Sequence, residues 1–183
     1  MIRIGIATLG PKGTDSENAA INIQLKEKIK GEIILKDTFY NALDFAIENN
    51  SHFLIPAAFK RTNNEGKVVD TWGDINFRYT NEIEIVKTYN LPLKEMCIAR
   101  NKNIESIDSV IIHPATEPFA NAYLQGVKIH YTHSKPLAVE SCAKGEYAAC
   151  IGSSDVVMQN NNLEIINRFS PSMVWVLYTP KKR

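Results

Sequence analysis

The sequence has little that would commit it to a nucleic acid, a membrane or a metal. Its 183 residues carry 21 Lys and Arg against 20 Asp and Glu, a formal net charge of +1, so no basic excess is available for a polyanion. No apolar stretch reaches membrane-spanning length, and the N-terminus goes straight into a strand rather than a targeting segment. These absences predict a cytoplasmic protein that binds neither nucleic acid nor membrane. Cysteine is scarce: Cys97, Cys142 and Cys150 are odd in number and lack CxxC or metal-ligand spacing, which predicts reduced, buried thiols. His130 and His133 have no third ligand nearby, so neither a metal nor another cofactor is expected. No Ser-His-Asp or Cys-His arrangement, nucleotide loop or cofactor motif is present, which argues against a hydrolase, a kinase or a dehydrogenase.

What is present is an ordinary globular composition, 44% apolar and 22% charged, long enough for one full domain or two small lobes. The organising stretch is Thr8-Leu-Gly-Pro-Lys-Gly-Thr-Asp-Ser-Glu-Asn-Ala-Ala20. It follows an apolar run, Ile2 to Ala7, that reads as a buried strand. Gly10, Pro11 and Gly13 break that strand. Thr14 or Ser16 caps a following helix, and Glu17 completes a capping-box spacing with Thr14. A strand, a glycine turn and a helix start offer N–H groups, hydroxyls and a positive dipole end to an anion. The same geometry also serves as a plain strand-to-helix connection.

From there the chain predicts a helix over Ser16–Lys30 closed by Gly31, a strand over Glu32–Leu35, a helix capped by Asp37-Thr38, and a strand over His52–Pro56. This βαβαβ rhythm implies a parallel sheet, with ligands beyond the carboxyl ends of its strands. Thr8–Thr14 and Pro56–Lys60 are then neighbours. Residues 60–81, with Gly66, show no helical period and read as a loop-rich excursion or hairpin. Strands follow over Glu82–Tyr89 and Glu95–Ala99, joined through Leu91-Pro-Leu93. A second α/β unit comprises a strand over Ser109–Pro114, a helix over Glu117–Leu124, a strand over Val127–Thr132, a helix over Pro136–Ala143, a strand over Glu146–Ile151 and a helix over Asp155–Gln159. Leu163–Ile166 and Met173–Tyr178 are the closing strands, and Lys181–Arg183 a frayed tail. The expected fold is α/β and two-lobed, like periplasmic binding proteins, with a ligand cleft between the lobes. Lobe one is about residues 1–90 plus 165–183, and lobe two about 91–164.

Leu9-Gly-Pro-Lys-Gly-Thr14 with Ser16 and Ala19-Ala20, Val110-Ile-Ile-His-Pro114, and Ala148-Ala-Cys-Ile-Gly-Ser153 resemble segments of prephenate dehydratases. They are still more similar to those of the single-domain, bacilysin-type prephenate decarboxylases. The resemblance covers nearly the whole chain and implies the same two-lobed fold, a small-molecule dicarboxylate substrate, a possible homodimer and no cofactor. It carries over Thr14, Ser16, His113, Ser134 and Ser153 as substrate contacts, Ser134 through a loose match at Thr132-His-Ser134. Taken with the residues around the two strand ends, the candidate catalytic groups are Thr14, His113 and Lys60. The candidate substrate-binding groups are Gly10, Gly13, Ser16, Phe59, Ser134 and Ser153. Each has a plainer role open to it: His113 as a turn or core histidine, Ser153 as a helix cap, Phe59 as packing, Lys60 (like Arg61 and Lys12) as a solvated cation.

The departures from the family pattern are informative. Dehydratases have Pro-Ile-Glu-Asn-Ser where this chain has Pro56-Ala-Ala-Phe-Lys60. They end on Thr-Arg-Phe, to which the family assigns expulsion of the ring hydroxyl, where this chain offers Ser170-Pro-Ser-Met-Val-Trp175. The regulatory ACT domain that usually follows is expected to be absent. The decarboxylases lack the same features and carry a similar Met-x-Trp ending, matched by Met173 and Trp175. They place a histidine after the proline equivalent to Pro56, where this chain has Ala57. The resemblance therefore implies non-aromatising decarboxylation of prephenate or a close cyclic dicarboxylate, in specialised amino-acid or antibiotic biosynthesis. A non-catalytic module binding the same kind of anion, and a lyase acting on another cyclic acid, are the alternatives.

Overall fold

The structure, a computed structural model, describes residues 5–63 and 67–181. The start of the expected first strand, Gly66 of the excursion, and the last two residues of the tail lie outside that range. The chain divides into two compact units, Met1–Leu93 with Ser172–Arg183, and Lys94–Pro171.

In the first unit, β1 (Ile6–Leu9), β2 (Ile33–Lys36) and β3 (His52–Pro56) are parallel. β12 (Ser172–Pro180) runs antiparallel to β3 and to the edge strand β6 (Ile83–Pro92), giving the order β2-β1-β3-β12-β6. Its central strands read as unbroken apolar runs because both faces are covered. Alternate residues Phe53, Ile55, Val176 and Tyr178 pack with Phe39, Ala42 and Leu43 of α2 (Phe39–Asn49). Leu54, Trp175 and Leu177 face Ala19, Ala20 and Ile23 of α1 (Asp15–Glu27). Each large side chain so buried contributes about 1.5–3 kcal/mol of transfer free energy. Trp175 is thus core, with Met173 packed against it.

The second unit repeats this plan without repeating the sequence. β8 (Ser109–Ile112), β9 (Lys128–Tyr131) and β10 (Ala149–Ser153) are parallel, and β7 (Met96–Asn101) runs antiparallel between β10 and β11 (Leu163–Phe169). The order is β11-β7-β10-β8-β9. Cys97, Ala99, Ile111 and Cys150 meet Ala138, Val139 and Cys142 of α5 (Lys135–Ala143) on one face. Met96, Ile98, Val110, Ile112 and Ile151 meet Ala120 of α4 (Glu117–Tyr123) on the other. A Cβ on Gly152 would lie 2.3 Å from Val139 Cγ2, so only glycine lets α5 lie this close to β10. All three cysteines are buried and free.

Four local expectations are corrected. α1 stops at Glu27, not Lys30, because Lys28 turns left-handed (φ 53°) and its N–H bonds the carbonyls of Gln24 and Leu25. Of its two readings the 60–81 excursion takes the hairpin, β4 (Lys60–Thr62) with β5 (Val68–Thr71), but it leads into an unexpected helix, α3 (Trp72–Arg78). Its period is hidden by shortness, but a reciprocal Thr71–Asp74 cap starts it. β6 runs on through Leu91 and Pro92, which an edge strand tolerates. β10 begins at Ala149 rather than Glu146, since Gly145 (φ +80°) and the Glu146 N–H to Ser141 carbonyl bond still belong to the exit from α5. Among the described residues no helix is long and apolar enough to cross a membrane.

Candidate functional site

Parallel strands end at one edge of their sheet, and that edge gathers the helix starts. In the first unit the β1 exit carries Gly10, whose N–H bonds Lys36 O at 2.8 Å, then Gly13 in the left-handed region (φ +86°) and Thr14. Thr14 caps α1, its hydroxyl accepting the Glu17 N–H at 3.4 Å. The Glu17 carboxylate accepts the Gly13 N–H, one residue outside an ordinary capping box, so the turn already holds an anion supplied by its own chain. Ser16 is buried under the helix, 6% exposed. Lys12 is exposed.

The β3 exit is apolar at first. Ala57 donates its N–H to Val174 O at 2.8 Å, and Phe59 packs edge-on to Phe39, ring centroids 5.1 Å apart. Phe59 is thereby partly spent on the core. Lys60, opening β4, is exposed, and among the described residues its ammonium makes no hydrogen bond or ion pair.

In the second unit three candidate residues stand at the same edge: His113 after β8, Ser134 after β9 and Ser153 closing β10. His113 caps the 3-10 turn Pro114–Thr116, its Nδ1 accepting the Ala115 N–H at 3.2 Å. That bond assigns the remaining ring proton to Nε2. Burial holds the imidazole below its usual pKa of 6.5, with Lys135 and His133 adding repulsion. His113 is therefore a neutral Nε2–H donor at neutral pH rather than a cation. Ser134 caps α5 through the Leu137 N–H at 3.3 Å. Ser153 starts the short helix α6 (Ser154–Val157) but makes no side-chain cap bond, so its hydroxyl is not committed to its own helix.

Two features of this edge escaped the sequence. Lys135 and His133 act electrostatically on His113, and their position beside the Ser134 cap was the available signal. Arg168 ends β11 beside Phe169 and pairs with Glu95. A register shift between Ile165 and Asn167 re-aims the strand just before it. Among the described residues no group of three or more His, Cys, Asp or Glu is placed to hold a metal. His130 lies on the Tyr147 ring, centroids 4.8 Å apart.

The sequence profile of the prephenate dehydratases matches residues 6–169. The chain belongs to the prephenate dehydratase family. No curated protein matches the sequence. Among solved structures, the prephenate dehydratase of Staphylococcus aureus superposes with a TM-score of 0.60 at 14% identity, over 98% of this chain and 67% of that one. That of Arthrobacter aurescens, in complex with L-Phe, gives 0.59 at 14%, over 98% and 61%. This chain thus spans about three fifths of the Arthrobacter protein. A periplasmic sulfonate-binding protein from Methylobacillus flagellatus gives 0.60 at 9%, over 99% and 62%. These likenesses show a fold shared by prephenate dehydratases and periplasmic binding proteins.

The family match ends at Phe169, the last residue of β11, where the chain reads Asn167-Arg168-Phe169. The Asn167 side-chain carbonyl accepts the Arg168 N–H at 2.9 Å.

The caps give a graded expectation. Thr14→Ala and Ser134→Ala each cost about 1 kcal/mol in urea unfolding, whereas Ser153→Ala stays within about 0.5 kcal/mol. Equal losses at all three positions would contradict the bonding described.

His113 gives a pH expectation. Its folded-state pKa is depressed, so the unfolded chain takes up the proton first. The associated stability is complete above 6.5 and is lost as pH falls below it. His113→Asn keeps a cap acceptor but does not titrate. Its unfolding midpoint falls less than that of the parent between about pH 7.5 and about pH 5.

Proposed function

We propose that the protein is a non-aromatising prephenate decarboxylase, the carboxylates of the substrate being held by helix starts at the carboxyl ends of the parallel strands. The observation that carries this reading is Ala58-Phe59 in place of the family's Glu-Asn, together with the absence of a Thr-Arg-Phe run, whose counterpart we take to be Asn167-Arg168-Phe169. The groups that help hydroxide leave are replaced, while turns suited to oxyanions remain at Gly13–Ser16, His113 and Ser153.

Decarboxylation breaks the bond from the quaternary ring carbon to its carboxylate. The electron pair passes into the ring, carbon dioxide leaves, and a ring carbon takes a proton. A dehydratase expels hydroxide with that electron pair and the ring becomes aromatic. A site that withholds help from the hydroxyl leaves protonation as the outcome. Thr14, the Gly10–Gly13 turn and Ser16 would position the side-chain carboxylate. His113, through Nε2–H, would hydrogen-bond a substrate oxygen, with Ser134 and Ser153 orienting it. Lys60 would neutralise a carboxylate or deliver the proton, a contribution on the order of 10²–10⁴ in rate. Cytoplasmic location, a homodimer and a role in specialised metabolism belong to this same reading.

A second reading is a non-catalytic module for the same anion, favoured by the Ala57-Ala58 turn, which offers no titratable side chain where the decarboxylases place a histidine. Incubation with prephenate separates the two. The decarboxylase predicts carbon dioxide and a product that retains the hydroxyl, followed by mass and ultraviolet spectrum, and Asn167→Thr shifts the products towards phenylpyruvate. Phenylpyruvate from the unmodified protein would sink the proposal. Unchanged prephenate with a raised melting temperature would select the binding module.

A further inference from the structure

The hairpin and helix between β3 and β6 hold a charged cluster that the reading above does not use. Asp70 of β5 is 1% exposed, and a buried carboxylate must be paired. Its Oδ1 accepts the Thr71 N–H at 3.2 Å, and its Oδ2 accepts the Tyr40 hydroxyl. Two guanidiniums converge on that same oxygen. Arg78 Nη1 of α3 lies 3.4 Å away and Arg61 Nη2 of β4 3.7 Å away. Arg78 Nη1 also donates to the Tyr40 oxygen at 3.1 Å, and the Arg61 guanidinium lies over the Tyr40 ring at 5.7 Å.

The arrangement is more cationic than Asp70 alone requires. One arginine neutralises a carboxylate; the second brings a like charge close to the first. Asp74, one turn before Arg78, adds a field on it, but the Asp74 carboxylate is committed to the Thr71 N–H and hydroxyl. Both arginine side chains remain more than half exposed, at 57% and 54%. Among the described residues their bonds use one nitrogen of each guanidinium, out of five N–H donors apiece. Buried Asp70 and half-buried Tyr40 therefore hold the two forks while leaving most donors to solvent.

We propose that Arg61 and Arg78 form an oxyanion site, taking a carboxylate or phosphate group of a small molecule between two guanidiniums braced by Tyr40 and Asp70. Such a group accepts from both forks and removes the repulsion between them. Asp70 serves as a positioning residue and does not touch the ligand. Arg61, Arg78, Tyr40 and Asp70 are none of the residues assigned above to prephenate, so the site stands whether or not prephenate is turned over.

The test is calorimetric titration of the whole chain with malonate and, separately, with inorganic phosphate, at constant ionic strength. Saturable binding is expected for one or both probes. Binding by malonate alone assigns a carboxylate ligand, by phosphate alone a phosphorylated one, and by both a general oxyanion site. Arg61→Lys keeps the charge beside Asp70 and loses the fork, so it folds and binds about tenfold more weakly, and Arg78→Gln weakens binding at least as much. Thr14→Ala leaves the Arg61-dependent part of this binding unchanged. Absence of saturable binding by either probe would overturn the proposal. So would affinities that are unchanged in Arg61→Lys, or that fall in Thr14→Ala instead.

Discussion

The constraint on which the rest depends is that every helix start leaves N–H groups without helical partners, and these must be satisfied. In each five-stranded sheet the parallel strands deliver the chain to one edge, where, except after β3, a helix or a 3-10 turn begins within a few residues. Thr14, Thr38, His113 and Ser134 answer that demand with a side-chain oxygen or nitrogen, and Ser153 does not. The residues that make the fold possible are thus the ones with donors and acceptors to offer a ligand. Glu17 shows how closely the two roles approach: its carboxylate sits on the Gly13 N–H, where a substrate carboxylate would sit. A ligand at that turn gains only the difference between its own charge-assisted bonds and those it displaces.

Much of this was legible in the residues because local rules and burial agreed. The βαβαβ order, the exact span of β3 and the caps at Thr14 and Thr38 follow from apolar runs punctuated by glycine, proline and hydroxyl residues. What was not legible had a short or non-local cause. α3 has seven residues, too few to display a period. Lys28 closes α1 in a left-handed conformation that its side chain does not advertise. The pairing of Arg61 with Asp70 depends on hairpin register, and the field of Lys135 on His113 depends on β8 and β9 lying side by side.

The same division holds for the candidate site. His113 and Ser153 stand where the short motifs placed them, at the ends of β8 and β10. Phe59 leans on Phe39 instead. Arg168 was not legible as part of this edge because its pairing with Glu95 depends on β11 lying beside β7.

Amide chemical-shift mapping with prephenate tests the claim that ligand recognition is assigned to these helix starts. The account predicts that the largest shifts fall on Gly13 and Thr14 in the first unit, and on Ala115, Leu137, Ser153 and Ser154 in the second. Shifts confined to other surfaces, or none at saturating prephenate, would contradict it.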